Sequence, residues 1–441
     1  MEKGQETLNF LTWFTVIIFF TTVISLLNER FFKIPNDIAL LLFSFLICVS
    51  LEGAANVFSI DTLTHTLSRL NDFRFESYLL DGVLCFMLFA GSGKVHFNKF
   101  KSNLKNITLL SFLTTALSAV MFGLLFYSAA YAFGWGLDIW TCILLGCIVS
   151  PTDPIAATGI MNKLGLSKNV TTVIESESLF NDGMGVALFA FVKSIVTNIG
   201  QENFAVLMLR EVLGAAFTAL AVSGLLLLLM KTSRKPLNHI LLSILAVSSV
   251  YVICELCGFS GVIASVICGM SFSYGMDKMA RFRAIVDRED DYSRFWDVID
   301  SLLNSVLFVM IGFSVLRLNL SPTVMYAGAA AIVAVLVSRA AGVAIPTAFS
   351  RGQNIPGGYS LTEYTALMTW SALKGGLSLA LVLSTEEALP HASYEILLSA
   401  AYVIIIFTVI VQGMTTKNVY RAIEKSKAKR IRKESNLNCV S

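Results

Sequence analysis

The apolar residues of this chain run in unbroken stretches of roughly twenty, the length at which an α-helix crosses the hydrocarbon core of a bilayer. Thirteen such stretches begin near Leu11, Pro35, Tyr78, Ile107, Asp138, Val170, Ala205, Pro236, Gly258, Phe295, Pro322, Glu363 and Tyr394, most of them joined by short polar connections. Continuity separates them from the alternating pattern of membrane β-strands, and helices and closed barrels are the two architectures that satisfy their own backbone in lipid. The pattern predicts an all-α polytopic membrane protein with about thirteen transmembrane helices. The first stretch, Leu11 to Leu27, follows a mixed-charge Met1–Glu6 and precedes Asn28-Glu29-Arg30 rather than a small-residue cleavage site, so it reads as a retained helix.

Composition agrees with the pattern. Of 441 residues, 55% are hydrophobic and only 14% charged, with a mean hydropathy of +0.72, whereas soluble domains carry about 25% charged residues. Basic residues supply an orientation. With the N-terminus outside, twenty-five Lys and Arg fall on the inner side and six on the outer, as the positive-inside rule requires. Eight of the inner ones lie between Lys417 and Lys433, which marks 418–441 as a short basic cytoplasmic tail after a transmembrane domain at 1–417. The formal net charge of +3 belongs to these loops, and no soluble segment is large enough to bind nucleic acid. Arg339 and Lys374 belong to neither side. The expected setting is the plasma membrane of a prokaryote.

Two stretches cannot be straight helices. In the fifth, Ser150-Pro151-Thr152-Asp153-Pro154 removes backbone donors and pushes residues out of helical geometry. In the twelfth, Ser371-Ala372-Leu373-Lys374-Gly375-Gly376 combines a cation with a glycine pair. These interruptions are fifth in spans one to six and fifth in spans eight to thirteen, with span seven as linker, which is the arrangement of two inverted-topology repeats. The alternative is two unrelated kinks.

The sixth stretch carries the chemistry. Glu175 to Gly183 reads E-S-E-S-L-F-N-D-G and sets three carboxylates and an amide where hydrocarbon is expected; such residues face a cavity, a partner charge or an ion path. At helical spacing Ser178 and Asp182 share one face, with Glu175 a turn back, and Glu177 and Asn181 share another. Carboxylate, hydroxyl, amide and carbonyl oxygens suit a hard cation rather than a transition metal. A low-dielectric cavity disfavours the charged form of a carboxylate, so protons and a small alkali ion would compete for Asp182. Asp153 and Lys374 stand where broken helices expose dipole ends and are read as compensating them. Arg339, deep in the eleventh stretch, needs a buried partner, and Glu177 is the expected one because that choice leaves Asp182 free; the alternative is snorkelling to an interface. Of eight cysteines, Cys254-x-x-Cys257 alone has a ligand-like spacing, without a second pair or a neighbouring histidine, and packed thiols are the reading.

Together, Thr152-Asp153-Pro154, Glu177-Ser178-Leu179-Phe180-Asn181-Asp182-Gly183, a lone Arg339 and Lys374-Gly375-Gly376 resemble the monovalent cation:proton antiporter family of Na⁺/H⁺ exchangers, along almost the whole chain. The resemblance implies the Na⁺/H⁺ antiporter fold, a homodimer, and a mobile core of spans four to six (about 107–198) and eleven to thirteen (about 322–415) moving against the remaining, dimerising spans. It implies Asp182 as carrier carboxylate, Asn181 as its partner in an Asn-Asp pair associated with electroneutral exchange, Ser178 and the Thr152 backbone as further Na⁺ ligands, Asp153 beside them, and Glu177–Arg339 as a structural ion pair. No cofactor is implied; the cation and proton are substrates. The chain departs from the family in having Lys374 where arginine is usual, and Phe89-Ala90-Gly91 where many prokaryotic members have a glutamate in the third span.

The expected activity is secondary antiport of Na⁺, with Li⁺ or K⁺ as alternatives, against H⁺, without enzymatic chemistry. Two other classes stay open at this stage. An intramembrane aspartyl protease would use Asp153 and Asp182 as its dyad, but its Gly-x-Gly-Asp signature is absent. A channel or sensor on a transporter scaffold would share every residue named above.

Overall fold

The computed structural model describes residues 2–58, 78–94, 97–153, 168–197, 204–233, 235–283, 289–314, 321–349 and 355–438. Its helices are α1 (Glu2–Leu27), α2 (Asn36–Phe58), α3 (Leu84–Gly93), α4 (Phe97–Phe133), α5 (Ile139–Val149), α6 (Lys168–Val196), α7 (Phe204–Met230), α8 (Pro236–Cys257), α9 (Gly261–Arg283), α10 (Glu289–Phe313), α11 (Pro322–Phe349), α12 (Leu361–Trp370), α13 (Gly376–Leu383), α14 (His391–Ile406) and α15 (Gly413–Asn438). The protein is all-helical: among the described residues the one β-type contact is an isolated antiparallel bridge between Asp153 and Leu373. By length and apolarity nine helical segments of the described chain qualify as membrane-crossing, and α3, α5 and part of α9 are shorter apolar helices.

Local signals explain several boundaries. Asp138 caps α5, its carboxylate accepting from the backbone N–H of Trp140 and Thr141 at 3.0 and 3.2 Å. Pro236 opens α8 at a position where its missing donor is harmless. Ser360 and Glu363 form a reciprocal capping box at the start of α12.

Two apolar clusters organise the bundle. One joins α3 to α7, α8, α9 and α10 through Phe89, Ala215, Ala246, Cys268 and Trp296. The other is larger and carries α4, α5, α11, α13 and α14 together with α2 and the end of α10. Water gives no drive for helix association inside a bilayer, so close van der Waals approach has to supply it. Gly146 shows how close: a Cβ there would stand 2.1 Å from the carbonyl oxygen of Ala119, so α5 lies directly on the backbone of α4.

Residues 418–438 are not a separate element. They continue α15 without a break past residue 417 and dock on the start of α12. Arg430 donates to the Gly358 carbonyl at 2.6 Å and to Glu363 at 3.2 Å, Ser426 donates to Glu363 at 3.0 Å, Tyr359 donates to Glu424, and the Lys427 ammonium sits 4.2 Å from the centre of the Tyr359 ring.

Candidate functional site

The site forms where two non-helical segments cross. After α5 ends at Val149, Pro151 to Asp153 run without helical bonding; α12 and α13 are separated by Ser371 to Gly375. The Asp153 N–H donates to the Leu373 carbonyl at 2.8 Å, and the Lys374 N–H donates to Thr408 Oγ1 at 3.1 Å in the π-helical turn Phe407–Gln412 between α14 and α15. Backbone groups orphaned by the breaks are thus partnered within the protein, the condition for irregular backbone at membrane depth.

Charges meet the breaks crosswise. The Lys374 ammonium, 2% exposed, reaches across to the end of α5 and donates to the carbonyls of Ser150 at 3.2 Å and Pro151 at 3.0 Å. A Cβ built on Gly375, the N-cap of α13, would stand 3.1 Å from Asp153 Cβ and Oδ2, so the Asp153 carboxylate lies beside the α13 N-terminus. A cation at a helix C-terminus and an anion at a helix N-terminus each oppose the local dipole. Lys374, between α12 and α13, thus meets the C-terminal end of α5, and Asp153, beyond α5, meets the N-terminus of α13.

Helix α6 brings the polar string to this crossing. Asn181, fully buried, donates through Nδ2 to the Ser150 carbonyl at 3.2 Å and to Thr152 Oγ1 at 3.1 Å, and its Oδ1 accepts from Thr115 Oγ1 of α4 at 2.8 Å. Ser178 Oγ donates to the Thr152 carbonyl and lies 3.0 Å from Thr152 Oγ1. Thr152 and Asp182 line the same cavity. Asp182 and Asp153 are partly exposed, because both line a cavity enclosing about 620 Å³ of empty space, open solvent included. On another face of α6, Glu177 is engaged elsewhere: Arg339 Nη1 and Nη2 of α11 donate to its two carboxylate oxygens, both at 2.9 Å, with both side chains buried. The side chain of Glu175 lies outside the described residues.

Comparison with known proteins gives the family. A protein-family model described as sodium/hydrogen exchanger, transmembrane, matches residues 72–422. The chain belongs to the sodium/hydrogen exchanger family. It is 29% identical over 414 residues to the Na⁺/H⁺ antiporter NhaP of Pseudomonas aeruginosa, covering 91% of this chain and 94% of that one. It is 32% identical over 318 residues to the Na⁺/H⁺ antiporter NhaG of Bacillus atrophaeus, covering 70% of this chain and 56% of that protein. Its fold matches the sodium proton antiporter MjNhaP1 of Methanocaldococcus jannaschii with a TM-score of 0.71 at 17% identity, over 94% of this chain and 98% of the other.

Several groups around the site of this exchanger escape a linear reading. Thr115 belongs to a buried polar stripe, Ser111, Thr114, Thr115 and Ser118, at helical spacing inside an apolar stretch, and that spacing is a usable signal. Thr408 and Ser150 act through positions that only the crossing creates. In the third span, Ala90 packs into the α7–α9 cluster, whereas Met87, Leu88 and Gly91 line the cavity. The far wall of the cavity comes from α10 and includes Asp300, Asn304 and Leu307. Lys94, just beyond α3, lies 2.6 Å from Asp300 and 3.3 Å from Asp297. Burial opposes its charge, but the two carboxylates outweigh that and hold the ammonium above the ordinary lysine value. Cys254 is buried and Cys257 exposed, and no trio of metal-ligating side chains converges among the described residues.

Proposed function

We propose that this chain exchanges Na⁺, with Li⁺ or K⁺ as the alternatives, for H⁺ at a single site centred on Asp182. The observation that carries the reading is the setting of Asp182: it lines the cavity at the crossing of the two breaks, beside the Ser178 hydroxyl and the Thr152 backbone, while the neighbouring Glu177 is consumed by Arg339. One carboxylate accepts either a proton or a cation, and in both cases the carrier becomes neutral. Such a site couples the two fluxes and exchanges one charge for one charge, so transport is electroneutral. Ser178 and the Thr152 carbonyl, bonded to each other without cargo, part to receive Na⁺ with Asp182. Asn181 ties that group to α4 and to the first break. Asp153 and Lys374 hold the half-helix ends neutral, which leaves the charge on Asp182 for the cargo.

Exchange at one site requires alternating access. The helices α4–α6 and α11–α14 are read as the mobile core, with the breaks at spans five and twelve as equivalent parts of two inverted repeats, and the other helices as scaffold and dimer contact. The proposed placement is the plasma membrane, with the N-terminus outside and the C-terminus cytoplasmic, as a homodimer of thirteen spans.

The test is pH-probe dequenching in inside-acid vesicles given Na⁺, Li⁺ or K⁺ in turn. Cation-triggered proton efflux in the wild type and none in Asp182→Asn supports the reading and names the ion. Cation flux without proton counterflow overturns it in favour of a channel.

A further inference from the structure

We propose that Asp300 and Asn304 form a second cation station, on the access path to Asp182, and that the Lys94 ammonium occupies it in the absence of cargo. The inference rests on the Asp182-centred reading above and extends it outward along the same cavity.

Asp300 and Asn304 are four apart on α10 and present their side chains on one face. Both are buried, and both line the cavity that contains Asp182. The cavity wall is otherwise largely apolar, Leu84, Leu88 and Leu307 among it, with Thr152, Asp153 and Ser378 as its further polar lining. A cation crossing it would surrender hydration with nothing in exchange unless oxygens are placed on the way. The Asn304 amide is already committed: Nδ2 donates to the Asp300 carbonyl at 2.8 Å and to Asp300 Oδ1 at 2.9 Å. That leaves its Oδ1, buried and without any partner in the protein. A buried acceptor of this kind is costly unless something donates to it or coordinates it. Carboxylate and amide oxygens from residues lining one cavity are ligand types for a hard cation.

Lys94 shows that the station accepts a positive charge. Its ammonium touches Asp300 Oδ2, yet the Lys94 side chain is 46% exposed while Asp300 is only 6% exposed. The carboxylate is buried, and the side chain that brings the cation to it reaches solvent. Asp297, 56% exposed and 3.3 Å from the same ammonium, offers Lys94 a place to go when cargo arrives. One buried carboxylate suits a monovalent ion, because a divalent one would leave a charge uncompensated in an apolar cavity.

The experiment is Na⁺-dependent exchange in proteoliposomes of the full-length protein, with Na⁺ presented from the side on which Lys94 lies, for wild type, Asp300→Asn, Lys94→Gln and Asp182→Asn. A station predicts opposite shifts: Asp300→Asn raises KM for Na⁺ about tenfold with kcat within about twofold, and Lys94→Gln lowers KM several-fold because the resident competitor is gone. A structural latch between α3 and α10 predicts the same direction for both, since both break the pair. Any combination other than opposite KM shifts overturns the station. Asp182→Asn separates the two readings: if it exchanges like wild type, the Asp182 assignment falls independently of the α10 result. Thermal stabilisation by Na⁺ over N-methylglucamine supplies a readout free of transport. Stabilisation is expected to survive in Asp182→Asn and vanish in Asp182→Asn/Asp300→Asn, and its absence already in Asp182→Asn overturns the proposal.

Discussion

The ammonium of Lys374 donates to the carbonyl of Ser150 at 3.2 Å, so the cation of one interrupted helix closes the C-terminal end of the other. A single side chain thereby satisfies two orphan carbonyls, those of Ser150 and Pro151, that no α-helical N–H reaches.

Removing that cation leaves the Pro151 carbonyl in a buried place without its side-chain donor, while the Ser150 carbonyl keeps Asn181 Nδ2. Lys374→Met is expected to lower stability by about 1–3 kcal/mol per carbonyl left unsatisfied, seen as a drop in Tm in detergent. Lys374→Arg keeps the charge, and its planar fork has two donors for two acceptors, so it should retain most of the wild-type Tm.

The Glu177–Arg339 pair joins α6 to α11 with two parallel hydrogen bonds. Breaking one side leaves a buried charge without its partner, and Arg339→Ala or Glu177→Ala should cost about 3–5 kcal/mol and deplete folded protein in the membrane. Reciprocal exchange, Glu177→Arg with Arg339→Glu, is expected to recover folded yield over either single change. Size-exclusion profiles of the four proteins decide it, and a double variant no better than the singles would remove the pair from its structural role.

The proposed competition between proton and cation for Asp182 has a signature in pH. Where the proton wins, KM for Na⁺ should rise about tenfold for each unit of pH lowered, while kcat at saturating Na⁺ stays flat, because each bound proton excludes one cation. Initial rates against Na⁺ at several pH values measure this directly. A KM independent of pH across the active range would exclude a shared carboxylate.

Thr115 fixes the orientation of the Asn181 amide by donating to its Oδ1. Thr115→Val keeps the shape and loses the donor. At about 1 kcal/mol for one hydrogen bond, a several-fold fall in exchange rate is expected with little change in Tm, and Thr115→Ser should restore the rate. Equal rates in all three proteins would make the contact incidental.

Charge and apolar length carry far in this chain. The stretch at Ile139–Val149 followed by Ser150-Pro151-Thr152-Asp153 announces a helix that must stop, and it stops there because proline removes the donors a helix would need. The E-S-L-F-N-D-G string declares its own importance, since charged groups in hydrocarbon need an environment. What it does not declare is which environment. Ala90 illustrates the gap: its place in the third span is legible, but only packing decides that it faces the α7–α9 cluster while Gly91 faces the cavity. Asp300 and Asn304 look like ordinary polar residues in the middle of a helix until α10 is set against α3.

By itself, then, the sequence determined the membrane class, the helical architecture, the two interruptions and the identity of the charged groups, because backbone satisfaction in lipid and the cost of buried charge act locally on each segment. Tertiary structure alone decided which group meets which. Asp153 finds the end of α13, Lys374 the end of α5, Thr115 the amide of Asn181, and Asp300 the ammonium of Lys94. Those pairings depend on helices distant in sequence approaching to contact, and no local propensity encodes the distance between two side chains that only packing brings together.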